Sequence, residues 1–368
     1  MKRNPIVVLF ILSGSIVGRA GDQWTITDIG TLTPNASLTV PTGMNNHGVV
    51  IGAGGESSFV WGCGVMRAVP RPMGTRYTNV RDINDVGQIA GSARLDVDGI
   101  VNHAYRWHND QIEWIGTLGD GRAATAWGIN NFGHVVGYSE TEDSPFSPAH
   151  AFFWNGQLID VGPATEDPDD SSAAYDVNDT GTIVGSSHFP NRPHPRYTGC
   201  VWHDGSPCEL LPLPGDLATQ GDKINNLGTI AGISAYQREN HAVMWRDGEI
   251  IALTPFNPDD PNSFETSEAY DINDFDEVVG AGTTVSFQGH GFLWRNGEII
   301  LMESLAPADF EWILGPEAIN NAGQLACRGH YRPDPFGVPQ RTFILTPPVC
   351  RGFPRGDANC DGLVNNFD

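Results

Sequence analysis

The sequence predicts an all-β fold, a seven-bladed β-propeller of four-stranded blades closed by its N-terminal strand, with a short extended C-terminal tail. Three observations carry this. A hairpin pattern, apolar-Asn-(Asn/Asp)-x-Gly-x, two mostly apolar residues and usually Gly, recurs seven times along the chain, with one copy lacking the first Gly. A second, aromatic-rich pattern follows each copy in phase. The last repeat lacks its final strand, and the start of the mature chain carries a spare one.

The hairpin turns begin at Asn45, Asn84, Asn130, Asn178, Asn225, Asn273 and Asn320, at intervals of 39 and then 46 to 48 residues. Asn, Asp and Gly tolerate the positive φ of a tight turn, so each copy reads as two strands joined at that point. One copy, Asn273-Asp274-Phe275-Asp276, has Asp where Gly is expected and predicts a looser or different turn.

The second signature is strongest at His103-Ala104-Tyr105-Arg106-Trp107, His150-Ala151-Phe152-Phe153-Trp154, His241-Ala242-Val243-Met244-Trp245 and His290-Gly291-Phe292-Leu293-Trp294. Weaker copies lie at Ser58–Trp61, Gly199–Trp202 and Arg341–Leu345. In several copies an Asn/Asp-Gly turn follows, for example Asn155-Gly156 and Asp247-Gly248, and then another apolar run. Two hairpins per period supply the four strands of one blade. The seventh period ends after its third strand at Leu345, before Pro347-Pro348. The orphan run Trp24–Leu32 resembles the fourth-strand segments Glu113–Leu118 and Leu158–Gly162, so residues 24–32 are expected to pair with 342–346 and close the ring.

Turn lengths predict two unlike faces. Short turns within the hairpins emerge on one; the longer connections, such as Glu140–Ala149, Pro163–Ser172, Ser187–Thr198, Pro255–Glu268 and His330–Gln340, emerge on the other and make it the candidate functional surface.

The repeated Ile-Asn-Asn-x-Gly-x-Val-Val-Gly followed by His-Ala-Phe-x-Trp resembles the HAF family of extracellular repeats, over residues 24–346. The resemblance implies export and a propeller over residues 21–346, and it implies no activity. The Gly-His and Trp-Asp marks of WD40 repeats and the Gly-Gly doublets of kelch repeats do not recur.

Composition narrows the partners. With 21 Lys+Arg against 44 Asp+Glu the net charge is -23, which repels phosphate backbones and argues against nucleic acid. Residues 1–20 combine Lys2 and Arg3, an apolar run Ile6–Leu12 and small residues before Gly21, the layout of a signal peptide cleaved after Ala20. No later stretch approaches the roughly twenty apolar residues of a membrane span, so a secreted, soluble protein is expected. An oxidising compartment permits disulfides; Cys200 and Cys208 flank a turn and form one candidate pair, Cys350 and Cys360 another, while Cys63 and Cys327 have no evident partner.

Enzyme motifs are missing: there is no Gly-x-Ser-x-Gly elbow, no His-Glu-x-x-His helix and no phosphate-cradling loop. The repeated His103, His150, His241 and His290 read as hydrogen bonds tying strands to neighbours, and Trp61, Trp107, Trp154, Trp202, Trp245 and Trp294 as packing between blades. Asp82, Asp176 and Asp271 are expected to support the turns. The acidic loops Glu166–Asp170 and Asp259-Asp260 offer paired carboxylates for glycoside hydrolysis but read as solvated loops.

The sharpest chemistry lies at the C-terminus, beyond a Pro-rich linker at 347–356. Residues 357–368 place oxygen donors Asp357, Asn359, Asp361, Asn365 and Asp368 at positions 1, 3, 5, 9 and 12 of a twelve-residue loop, with the Leu363 carbonyl at position 7. That is how an EF-hand loop supplies calcium with oxygens. With Asp at its last position, the loop resembles the calcium repeat of type I dockerins. A dockerin usually carries two such loops and the first alone is present here, so the tail is expected to be either a fragment of a dockerin, whose cohesin partner is then doubtful, or a calcium-stabilised remnant. The combined expectation is a secreted binding or scaffolding module for a glycan or an extracellular protein, with calcium in its tail. The alternatives are a carbohydrate-active enzyme or accessory in polysaccharide breakdown, and a structural surface protein.

Overall fold

The computed structural model describes residues 24–348, apart from 33–37, 56, 96–100, 145–146, 168, 190–196, 237–238, 255–259, 261, 306–309 and 332–339. The described strands form seven four-stranded antiparallel sheets, blades 1 to 7, spanning 39–68, 75–114, 124–160, 172–209, 218–252, 264–301 and, for the last, 310–346 with 25–28; each but the last is built from four strands in sequence order. That last sheet takes Phe310–Ile319, Leu325–Tyr331 and Arg341–Thr346 from one end of the chain and Thr25–Asp28 from the other. Thr25 pairs with Thr346 and Asp28 with Phe343, so the expected closure forms. Every blade thereby has its outer strand. The only helix among the described residues is the single turn Met302–Leu305.

Apolar side chains gather at the seams between blades. Ala90 and Ala104 of blade 2 pack with Phe152 and Trp154 of blade 3. Val184 of blade 4 meets Ile224 and Trp245 of blade 5, and equivalent clusters fill the remaining seams. The tryptophans therefore serve as expected: Trp154, Trp202, Trp245 and Trp294 are buried in these clusters. Each seam is a small core of its own, so the ring is held by many modest apolar contacts.

The hairpin asparagines do more than turn the chain. None of the seven has positive φ; that conformation falls to the residue three places on, such as Gly181 at φ 84°. Asn178 Oδ1 accepts from the amides of Thr180 (3.2 Å) and Thr182 (3.0 Å), closing its own three-residue loop. Its Nδ2 donates to the carbonyl of Asn225 in the next blade, at 3.1 Å. The same donation runs 45 to 84, 84 to 130, 130 to 178, 178 to 225, 225 to 273, 273 to 320 and 320 back to 45, at 2.8–3.3 Å. A second closed ring lies beside it, in which each following residue's amide donates to the Oδ1 of its counterpart in the next blade, at 2.8–3.0 Å. The motif thus fixes each turn and the seam beside it together.

Two sequence expectations are corrected. The copy with Asp276 forms the same turn as the others: Asn273 N donates to Glu277 O and Asp276 N to Asn273 O, both at 3.1 Å, with Asp276 at φ 57°. Its carboxylate offsets the strain of that conformation by accepting from Asn225 Nδ2 (2.9 Å) and pairing with Arg246 (3.2 Å). The Cys200–Cys208 disulfide is not formed. The connecting turn has two residues, Asp204 and Gly205, so Cys208 faces Val201 and Cys200 faces Glu209. Alternation then puts the Cys200 thiol inside and Cys208 outside, both free. Cys350 and Cys360 lie outside the described residues.

Candidate functional site

The first strand of each blade lines a central channel of about 980 Å³. Each of these strands carries a bulge three residues before its hairpin Asn, where the register skips one position. A bulge re-aims a side chain, and the seven skipped residues all line the channel. They are Thr42, Arg81, Trp127, Tyr175, Asp222, Tyr270 and Glu317. Within an otherwise repeating motif, this position changes chemistry from blade to blade.

Two unlike walls result. On blades 2 to 4, the Arg81 guanidinium lies 4.3 Å from the Trp127 ring centroid, and Trp127 meets Tyr175 edge-on at 5.8 Å. On blades 5 to 7, Asp222 accepts from Gln220 (2.6 Å), Glu268 accepts from Asn240 (2.8 Å), and Glu317 pairs with Arg328 (2.8 Å). In a sevenfold ring, blades 5 and 6 stand opposite blade 2. Burial pushes the Asp222 carboxyl up to about 7 against the Gln220 hydrogen bond, with Glu268 adding to the rise.

One residue nearer the turn lies a charged layer. Asp82, Asp176 and Asp271 each accept the amide of their own next residue and, through the other oxygen, an amide of the following blade: Ile129 at 3.0 Å, Ile224 at 3.0 Å and Ile319 at 2.8 Å. They staple blades rather than support their own turns as expected. The close approach leaves no room at Gly128, where a Cβ would fall 2.8 Å from Asp176 Cα. Lys223 enters this layer 3.7 Å from Asp82 and 4.0 Å from Asp176. Burial works against its ammonium, but Asp176, Asp82, Asp271 and Asp222 outweigh that and raise its pKa, so it stays charged. Burial also lifts Asp176 to about 7 and Asp271 to about 6, with Lys223 opposing in both.

The other sequence candidates are structural. His150 bonds Asp160 on the adjoining strand at 2.9 Å, His241 bonds Asp216 at 3.2 Å, His290 pairs with Glu303, and His103 meets Trp114 edge-on. They occupy separate blades and never converge. In the acidic loop, Asp170 is engaged by His188 (2.7 Å) and Thr165 (2.7 Å); Asp259 lies outside the described residues. So do all six tail ligands, Asp357, Asn359, Asp361, Leu363, Asn365 and Asp368, and residues 1–20. Among the described residues no group of three or more His, Cys, Asp or Glu side chains is placed to hold a metal ion. Nor is any described helix long and apolar enough to cross a membrane. Sequence reasoning missed the channel residues; the signal was the varying position three before each Asn.

No family model matches the chain, and no curated protein matches it in sequence. Solved structures do resemble it. The β-propeller domain of the Trilobed protease from Pyrococcus furiosus aligns with a TM-score of 0.52 at 11% identity, over 86% of this chain and 100% of that one. The acylaminoacyl peptidase of Pyrococcus horikoshii gives 0.50 at 16% identity, over 89% of this chain and 54% of its own length. The extracellular domain of a hybrid two-component system from B. thetaiotaomicron gives 0.49 at 9%, over 87% and 39%. At such identities the likeness establishes the propeller fold alone. The Trilobed propeller is described as having an open velcro topology, whereas strand Thr25–Asp28 closes the ring here.

Proposed function

We propose that this chain is an exported propeller of HAF type whose central channel binds a glycan outside the cell. One observation carries the reading: the channel sets Arg81, Trp127 and Tyr175 opposite the carboxylates and amides of Asp222, Glu268, Gln220 and Asn240 around about 980 Å³ of space. A pyranose has apolar C–H faces and a rim of hydroxyls, and such a pair of walls suits both. Titration of the full chain against a panel of neutral and acidic oligosaccharides tests it, with Tyr175→Ala expected to weaken binding at least about tenfold. A panel without a single binder would remove the reading.

A second reading, a carbohydrate-active enzyme, draws on Asp222: a carboxyl raised to about 7 beside Glu268 is fit to donate a proton at neutral pH. Turnover of a polysaccharide panel that disappears in Asp222→Asn would establish it; a panel left uncut would leave a binding module. The tail is proposed to hold calcium through Asp357, Asn359, Asp361, Leu363, Asn365 and Asp368, supported by the loop spacing. Calorimetry should show one site in the full chain, lost in Asp357→Ala and Asp361→Ala; no heat at millimolar calcium would discard it.

A further inference from the structure

Three cations line the channel, and two are neutralised in place. Lys223 sits among Asp82 and Asp176, and Arg328 pairs with Glu317 at 2.8 Å. Arg81 differs. Among the described residues no carboxylate forms an ion pair with it, and it rests over the Trp127 ring instead. Burial pulls its guanidinium below the ordinary arginine range, as expected for a cation desolvated without a counter-charge.

Its hydrogen bonding points the same way. Arg81 Nε and Trp127 Nε1 are both buried and both lack an acceptor among the described residues. Leaving such donors unmet costs free energy, and here two of them stand in adjoining blades, side by side on one wall. Contact with the Trp127 ring restrains the guanidinium at this wall, and a guanidinium carries a fork of donors suited to a carboxylate. The bulges at Arg81 and Trp127 turn both side chains into the channel.

We infer that Arg81 and Trp127 form a carboxylate subsite, and that the recognised glycan carries a uronic acid; this rests on the glycan reading above. The rest of the channel restricts the ligand further. Asp222 and Glu268 face this wall from the far side, and the whole chain carries a net charge of -23. A polyanion would be repelled, so the fitting ligand has a single uronate within a neutral chain.

The test is calorimetric titration of the full chain with xylotetraose, with xylotetraose bearing one glucuronosyl branch, and with trigalacturonate. The branched acid is expected to bind at least about tenfold tighter than its neutral parent, the effect of a charge-assisted contact. Trigalacturonate should bind more weakly than the branched acid and recover part of the gap as added salt screens repulsion. Arg81→Gln should erase the preference, bringing the branched and neutral sugars to one affinity; Arg81→Lys keeps the charge but not the fork, and should retain only part of it. Equal affinity for the neutral and branched sugars, or a preference that survives Arg81→Gln, overturns the inference and leaves the glycan reading standing. Failure of all three sugars to bind while another member of the panel binds overturns the inference alone; a panel without a single binder removes both. Because Arg81 has no ion pair to lose, Arg81→Gln should keep the wild-type unfolding midpoint; if it does not fold, Arg81→Lys carries the comparison.

Discussion

Two layers of the same strands, three residues apart, behave in opposite ways. At the turn, every blade places Asn in the same environment, buried to 2–5% exposure and bonded to its own loop and to the next blade. At the bulge, no such rule holds: Thr, Arg, Trp, Tyr, Asp, Tyr and Glu follow one another around the channel. The backbone is shared and the chemistry is not. A repeated residue in this fold holds the ring together, whereas a varied one at a fixed position faces something outside the chain.

The comparison breaks first, and hardest, at the turn. Asn178→Ala removes three part-buried acceptor bonds within its loop, from the Thr180 and Thr182 amides and the Thr180 hydroxyl, and one buried donor bond to blade 5. A stability loss of about 2–4 kcal/mol is expected in urea unfolding, without loss of the ligand-facing wall. A loss under about 1 kcal/mol would show that the ring is decoration.

The charged layer between the two comes next. Lys223→Met leaves Asp82 and Asp176 without their cation and should destabilise by about 1–3 kcal/mol at pH 8, the lower range reflecting access of channel water. Protonating Asp176, which burial raises to about 7, relieves the deficit, so it should shrink at pH 5. In the wild-type chain, Asp176 and Asp222 are raised to about 7 and Asp271 to about 6, from an ordinary 3.8. Groups raised on folding contribute stability that is complete below about pH 4 and lost as the pH climbs through 6 to 7. Thermal midpoints should therefore be higher at pH 5 than at pH 8, and Asp222→Asn should flatten that slope. An unchanged slope in the variant would mean that Asp222 titrates normally.

The smallest effect is expected at the unbridged cysteines. Cys208→Ser should change stability by less than about 0.5 kcal/mol, equally with and without reductant. A reductant-sensitive wild-type midpoint that the variant abolishes would restore the disulfide.

The blades were legible because a period near 47 residues and an Asn-x-x-Gly turn are local signals, and the spare strand at Thr25–Asp28 matched a missing one at the other end. Seams and rings were not. Nothing near Asn178 in the chain announces Asn225 as its acceptor, because that contact exists only when blades stand side by side. Asp176 looked like a turn residue for the same reason, although it bonds Ile224 across a seam. Cys208 misled through a one-residue slip: symmetry about Asp204 assumed a three-residue turn, His203 to Gly205, and the actual two-residue turn reverses the face of the thiol. The channel residues were hidden by the bulge, which shifts the alternation that would otherwise tell inward from outward positions.

The claim that varied positions bind while repeated ones hold is tested most directly by titrating Trp127→Ala with the glucuronosyl-branched xylotetraose. At least a tenfold fall in affinity is expected, with an unfolding free energy within about 2 kcal/mol of wild type. Wild-type affinity joined to a stability loss as large as that of Asn178→Ala would show that the bulge ring, like the turn ring, serves only to hold the blades.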